Sequence, residues 1–405
     1  MIYTEKQREL LRLFQCGGLR RINILHGSVR SGKTWISLVL WAFWVLAMPR
    51  DGNYLMAAKT LTGLKRNCLD LLGGLVGERN FSYSLAQKQG RLFGRTIYLE
   101  GVNDARAESK IRGMTLTGAY CDELTLFTED FFAMLLSRLS MPGAKLFGTT
   151  NPDTPEHWLK KNYIDRRDAL DMLVMEFRIE DNTFLDAEYV RQLKTEYAGV
   201  FYERFILGRW VVAEGLVYAD FAKWDAVTNE STEGMSGRFF VSIDYGTRNP
   251  CSMGLWCVAN GRALRLDESY FDSRAEGRQR TDEEHYAALE RLTAGKYIDA
   301  VIVDPSAASL IETIRRHGKY AVRPAENAVV PGINVAAGLL QCGRMKIHAR
   351  CKDAIREFGL YRWDERKTED AVIKEHDHAM DEIRYFAATI LAHDFRWLPW
   401  RAGNV

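Results

Sequence analysis

Eight consecutive residues, Gly27-Ser28-Val29-Arg30-Ser31-Gly32-Lys33-Thr34, fit the pattern glycine, four residues, glycine, lysine, serine or threonine at every position. Residues of these types at this spacing bind phosphate. The glycines let backbone N–H groups converge on phosphate oxygens, and a following helix adds its positive end. Lys33 would reach the β- and γ-phosphates, and the Thr34 hydroxyl would take Mg²⁺. The flanks suit the loop: Arg20 to His26 reads as a short buried strand and Lys33 to Ala47 as a helix. The whole loop, Gly27, Ser28, Val29, Arg30, Ser31, Gly32, Lys33 and Thr34, is therefore expected to hold ATP with its Mg²⁺.

Hydrolysis needs an acid at the end of a neighbouring strand. Asp122-Glu123 follow Gly118-Ala119-Tyr120-Cys121 and meet that need. Asp122 would hold Mg²⁺ through water, and Glu123 would polarise the attacking water. The same pair could instead cap the helix starting near Thr128. Arg30 could swing onto the γ-phosphate as a finger in cis, or remain a solvated loop arginine. Gln7, on the opening helix, carries an amide able to pair with adenine, although surface glutamines are common. The strand Lys145–Thr149 ends in Thr149-Thr150-Asn151-Pro152, polar residues able to sense a γ-phosphate or simply to make a turn.

Three aspartates in the second half suggest a different chemistry. Asp244 ends one strand-like run (Val241-Ser242-Ile243-Asp244), Asp304 ends another (Val301-Ile302-Val303-Asp304), and Asp381 opens the last helix. Carboxylates on two strand ends and a facing helix can hold two Mg²⁺ or Mn²⁺ ions about 4 Å apart. One ion would activate water and the other would steady the departing 3′ oxygen of a phosphodiester. A charge directly after an apolar strand is costly without work or a partner, which singles out Asp244 and Asp304. Asp377 and His376, about one turn before Asp381, could join that shell but read rather as an exposed polar helix entrance, and Glu268 is a further candidate acid. Basic clusters at Arg274–Arg280, Arg315–Arg323 and Arg344–Arg356 could line a DNA groove or face solvent.

The elements that must position these groups divide in two. With 405 residues, 47% hydrophobic and 27% charged, the chain has the size and composition of a soluble protein of two domains. Its longest apolar stretch, Trp35 to Met48, is short for a membrane span, and the charged N-terminus is no secretory signal. Seven cysteines without a CxxC pair argue for a reducing compartment and against a zinc site. The first half alternates strands (Ile22–His26, Asn53–Ala58, Thr117–Cys121, Lys145–Thr149) with helices (Glu5–Phe14, Lys33–Ala47, Leu61–Leu72, Glu129–Leu139), the pattern of a mostly parallel sheet with helices on both faces. Phe81–Gly101 reads as an inserted hairpin and Leu159–Gly208 as mostly helical. A Gly- and Ser/Thr-rich stretch, 211–237, reads as a linker between an ATPase domain (1–210, with a helical subdomain about 159–208) and a second α/β domain (238–405). The second domain opens on strands Arg238–Asp244, Ser252–Val258 and Ala263–Tyr270. It continues through helix Glu283–Ala294 and strand Asp299–Asp304, and closes on helix Ala379–His393.

Taken in order, these segments resemble the large terminase subunit of tailed bacteriophages. The P-loop carries an internal arginine. Arg112-Gly113, Cys121-Asp122-Glu123-Leu124, Gly148-Thr149-Thr150-Asn151-Pro152 and His157-Trp158-Leu159 follow in the family's sequence. Ile243-Asp244-Tyr245-Gly246, Val303-Asp304-Pro305 and Asp381-Glu382-Ile383-Arg384-Tyr385 resemble the metal-binding segments of its nuclease half. The resemblance implies an α/β fold with an N-terminal P-loop ATPase domain and a C-terminal RNase H-like nuclease domain. It implies ATP-driven movement of double-stranded DNA into a procapsid and cutting of concatemeric DNA at the start and end of packaging. The implied partners are a small terminase subunit and the portal protein. The implied setting is the host cell cytoplasm, with no membrane, and a homo-oligomeric ring on assembly beside a monomer in solution. A host helicase or repair nuclease shares both chemistries, but the chain offers a single ATPase core. A binding module with an inactive second half would predict no strand scission.

Overall fold

Short apolar runs alternating with helices fold, in the computed structural model, as two mixed α/β units; residues 2–103, 107–247, 249–367 and 369–392 are described. The first unit runs to Val190 and resumes over Tyr202–Val212, whereas Arg191–Phe201 and the chain from Ala213 belong to the second.

The first unit is built on eight strands: β1 (Ile22–Gly27), β2 (Tyr54–Ala58), β3 (Phe81–Ser84), β4 (Gln89–Leu92), β5 (Arg95–Gly101), β6 (Gly118–Cys121), β7 (Lys145–Thr150) and β8 (Met172–Phe177). Their order in the sheet is β3-β4-β5-β2-β6-β7-β1-β8. From β5 to β8 every pairing is parallel. Such strands must be apolar throughout, because helices cover both faces, and β2 is buried at all five positions. One face packs on the helix Lys33–Ala47, where Trp41 and Trp44 meet Tyr54 and Phe147. The other packs on Glu129–Arg138 through Phe131 and Phe132.

Two readings of this half change. Phe81–Gly101 is not an inserted hairpin alone, because β5 pairs in parallel with β2 and extends the main sheet by three strands. The stretch 159–208 holds an edge strand, β8, beside β1. Met172–Phe177 is as apolar as a buried helix turn, and periodicity does not separate the two.

The second unit contains β9 (Val227–Thr228), β10 (Arg238–Asp244), β11 (Cys251–Ala259), β12 (Arg262–Phe271), β13 (Ile298–Val303), β14 (Val322–Pro324) and β15 (Met345–His348). Strands β10, β11 and β12 form an antiparallel meander, and β13 joins β10 in parallel. The sheet order is β14-β13-β10-β11-β12-β15-β9. This is the RNase H-like layout that the resemblance implied. Of residues 211–237, read as a linker, those from Ala213 pack in this unit, where Tyr218 is buried against Phe358 and Tyr361. A helix, His378–Phe386, continues as a π-turn through Leu391 and packs on β10 and β11. Its expected last residue, His393, lies outside the described residues.

Candidate active sites

The P-loop joins β1 to the helix starting at Lys33, with β7 on one side of β1 and β8 on the other. Gly27 lies so close to β8 that a Cβ there would overlap the Phe177 carbonyl, so only glycine fits. Chain from Tyr202 onward returns to brace the loop: the Ser28 hydroxyl donates to the Ile206 carbonyl at 2.6 Å and the Val29 amide to the Phe205 carbonyl at 2.8 Å. Arg30 and Glu123 both take positive φ, 56° and 57°. Non-glycine residues held there store strain of order 1–3 kcal/mol, and such strain gathers at functional sites.

Because β7 lies between β1 and β6, its end connects the loop to the acid pair. Lys33 Nζ donates to the Ser28 carbonyl at 2.9 Å and to Asn151 Oδ1 at 2.7 Å. The Thr149 hydroxyl donates to Asp122 Oδ1 at 2.6 Å, and Asn67 Nδ2 to Asp122 Oδ2 at 3.3 Å. Asp122 is buried, and its carboxylate suits a magnesium ion carried with the nucleotide. Burial drives Lys33 down to about 8 even though Asp122 and Glu123 pull the other way. Burial and the neighbouring Asp122 raise Glu123, a shift toward the range of a general base. A cavity of about 580 Å³ opens over this chain of contacts, lined by Arg30 to Trp35, Arg66, Asp122, Glu123, Thr149 and Asn151 among others.

Gln7 is buried beside the loop. Its Oε1 accepts from the Thr4 amide in a capping box, and Nε2 lies where a Cβ on Gly32 would reach it. Arg66 and Asn67 carry no motif. They enter the cavity on the π-turn Lys65–Leu69, a distortion that no pattern of apolar residues announces.

In the second unit, β10 and β13 are adjacent and parallel, so Asp244 at the end of one and Asp304 just past the end of the other emerge at the same edge. The Tyr385 hydroxyl reaches both, at 3.4 Å from Asp244 Oδ1 and 3.1 Å from Asp304 Oδ2. Tyr385 and Asp381 are four residues apart on one helix, hence on one face. Asp381 accepts from Arg384 on Oδ1 at 2.9 Å and from Lys374 on Oδ2 at 3.0 Å. His378 Nδ1 sits 2.8 Å from Asp244 Oδ2. It stands one turn before Asp381, and that spacing was the available signal for a residue the sequence reading passed over.

Burial raises Asp244 to about 6, with His378 opposing and Asp381 adding to the rise. Burial works against charging His378, but Asp244, together with Asp377 and Glu357, outweighs it and lifts that pKa. Asp304 behaves oppositely: burial raises it, yet hydrogen bonds from Ser306, Asn327 and Tyr385 hold it below the usual range. Among the described residues, no three His, Cys, Asp or Glu side chains already stand as a metal-binding group. The donor set nonetheless suits hard divalent ions, because a buried carboxylate crowded by a second one gains from a cation.

Two expectations are corrected. Asp377 is not exposed: it is 5% accessible and paired with Lys374 at 3.3 Å. Glu268 is committed to structure, holding Arg265 at 2.6 Å and capping the helix Lys352–Phe358 through the amides of Asp353 and Ala354. Beneath the three aspartates lies a buried network in which Glu382 accepts from Ser242, from Trp256 Nε1 at 2.9 Å and from Arg265 Nη2 at 2.8 Å. Gly254 makes room for it, since a Cβ there would overlap the Glu382 carboxylate.

Residues 24–222 match a family model described as terminase large subunit, T4likevirus-type, N-terminal. The large terminase subunit of Escherichia phage T5 is 22% identical over 273 residues, 64% of this chain and 61% of that protein, so the match spans less than two thirds of the curated relative. The large terminase of a thermophilic bacteriophage is 34% identical and superposes with a TM-score of 0.90, covering 96% of this chain and 100% of that one. The same protein in complex with ADP and with ATP-γ-S gives TM-scores of 0.88 and 0.87 at 34% and 33% identity, with the same coverage.

Proposed function

This chain belongs to the large terminase subunits of bacteriophages, and on that premise we propose that it is the motor and cutting subunit of a DNA-packaging machine. ATP hydrolysis in the first unit would drive double-stranded DNA into the procapsid, and the second unit would cut concatemeric DNA at the start and end of packaging. The observation that carries the reading is the pairing, in one chain, of a P-loop wired to Asp122 through β7 with three aspartates gathered about Tyr385 and its helix.

In the first unit Gly27 to Thr34 would wrap the phosphates. Lys33 would leave Asn151 for a phosphate oxygen, and Asn151 and Thr149 would pass that change to Asp122. Asp122 and Thr34 would hold the nucleotide's Mg²⁺. Glu123 would take the proton of the attacking water, and burial and Asp122, which raise its pKa, make it a better base. Arg30, on the strained loop, would reach the γ-phosphate, and Gln7 would keep Nε2 for the adenine base. The complexes of the thermophilic phage's terminase with ADP and with ATP-γ-S support the nucleotide reading.

In the second unit Asp244, Asp304 and Asp381 would hold two Mg²⁺ or Mn²⁺ ions, which would supply water activation and charge stabilisation at a phosphodiester. His378 orients Asp244, and Tyr385 fixes the spacing of Asp244 and Asp304. No helix among the described residues is long and apolar enough to cross a membrane. The work would take place in the host cytoplasm, with a small terminase subunit, the portal protein and further copies of this chain in a ring.

Two variants test the reading. Lys33→Ala should abolish ATP turnover and leave Mn²⁺-dependent plasmid cleavage intact, and Asp304→Ala should do the reverse. Plasmid nicking undiminished in Asp304→Ala would remove the proposed nuclease centre.

A further inference from the structure

Lys374 touches the aspartate cluster from outside. Its Nζ lies 3.0 Å from Asp381 Oδ2 and 3.3 Å from Asp377 Oδ2. The lysine side chain is 62% exposed, whereas those of its two partners are 9% and 7% exposed. The other oxygen of Asp381 faces Arg384, which is buried and further tied to the Asn327 carbonyl at 2.6 Å. Both oxygens of Asp381 therefore already meet a cation. A divalent ion binds carboxylate oxygen at about 2.1 Å, and a second positive charge on the same oxygen would repel it. Of the two resident cations, only Lys374 has an exposed side chain free to swing away.

The same lysine lines a cavity of about 290 Å³ beside the aspartates, together with Arg274, Arg356 and His376, and with Asp272 and Glu375 as the opposing charges. Arg274 comes from a basic loop that the ATPase and nuclease readings leave without a role, and it is anchored by Asn249 at 3.1 Å. Arg356 is oriented by Asp353 at 3.2 Å and lies over the Tyr270 ring. Two guanidinium groups and an ammonium around one opening suit a phosphodiester. The flexible lysine is the member able to choose between partners.

We propose that Lys374 stands in for a cation on Asp381 and yields it to a divalent ion when a backbone phosphate of the nucleic acid enters this cavity. The inference rests on the nuclease reading above. Lys374 then acts as a positioning residue: it keeps the centre poor in metal until the strand to be cut is in place.

The test is Mn²⁺ titration by calorimetry on the full chain, with and without a phosphorothioate duplex that resists cleavage, and with Asp381→Asn as the baseline. Lys374→Met and Lys374→Gln should each bind Mn²⁺ about tenfold more tightly than the wild type without duplex, the scale on which neighbours of metal ligands act. The duplex should tighten Mn²⁺ binding in the wild type and add little in either variant. If wild-type binding depends on Asp381 but both variants match the wild type, the latch is wrong and the nuclease reading survives. If Asp381→Asn changes nothing in any protein, both fall together.

Discussion

Lys33 makes the nucleotide-free loop sensitive to pH in a range that can be measured. Its ammonium is buried, and its two close acceptors, the Ser28 carbonyl and the Asn151 amide oxygen, are neutral. Neutral acceptors only partly replace lost water, and burial wins over the attraction of Asp122 and Glu123, leaving the pKa at about 8. Nucleotide phosphates would add full negative charge beside it and raise that pKa, so binding should draw a proton onto Lys33. At pH 7 roughly nine tenths of the free protein would already carry it, and at pH 9 roughly one tenth. Apparent affinity for ADP should therefore fall roughly tenfold from pH 7 to pH 9, worth about 1.4 kcal/mol.

Calorimetry at pH 8 in buffers of different ionisation enthalpy should show uptake of roughly half a proton per ADP bound. Lys33→Arg should lose the pH dependence whatever its affinity, because a guanidinium stays charged. The same shift sets a stability window: the native state binds fewer protons than the unfolded chain between about 8 and 10.5, so nucleotide-free stability should rise with pH across that interval. Flat ADP affinity between pH 7 and pH 9, with no proton uptake, would refute the claim that burial governs Lys33.

The link through β7 predicts that Thr149→Val, which removes the hydroxyl donating to Asp122, should lower ATP turnover by roughly ten- to a hundredfold, the scale of a hydrogen bond to a charged group. Steady-state phosphate release reads this, and wild-type turnover in that variant would show that Asp122 is positioned without it. The buried network under the aspartates predicts that Glu382→Ala destabilises the second unit by about 3–5 kcal/mol, because Arg265 is left fully buried with Glu268 alone. Denaturant unfolding followed by tryptophan fluorescence reports it, Trp256 being a direct partner of Glu382. A loss below about 1 kcal/mol would mean that water reaches Arg265.

What could be read in advance follows from how each feature is encoded. The strands β1, β2, β6, β7 and β10 lie within a residue or so of their expected limits, because a strand buried on both faces must be an unbroken apolar run. Aspartates after such runs stand out by cost, which is how the sequence singles out Asp244 and Asp304. Features fixed by pairing rather than by pattern were harder. That β5 joins β2 in parallel is a long-range fact absent from either segment. The helix Val329–Gln341 contains Pro331 and Gly332, residues that usually mark a loop; the proline lies in the first turn, where its missing N–H is no loss. The distinction that mattered most at the second site, which acids are committed to structural partners and which could meet a metal, is three-dimensional. Glu268 lies within β12 and Asp377 and Asp381 at the start of the last helix, yet Glu268 caps a distant helix and holds Arg265, while Asp377 and Asp381 share Lys374. Spacing favoured Asp381 over the other two but could not say what each one faces. They are separated by the cation each faces: Arg265 is buried against Glu268, whereas Lys374 is exposed, and its proposed release would free Asp381 on the helix that carries Tyr385.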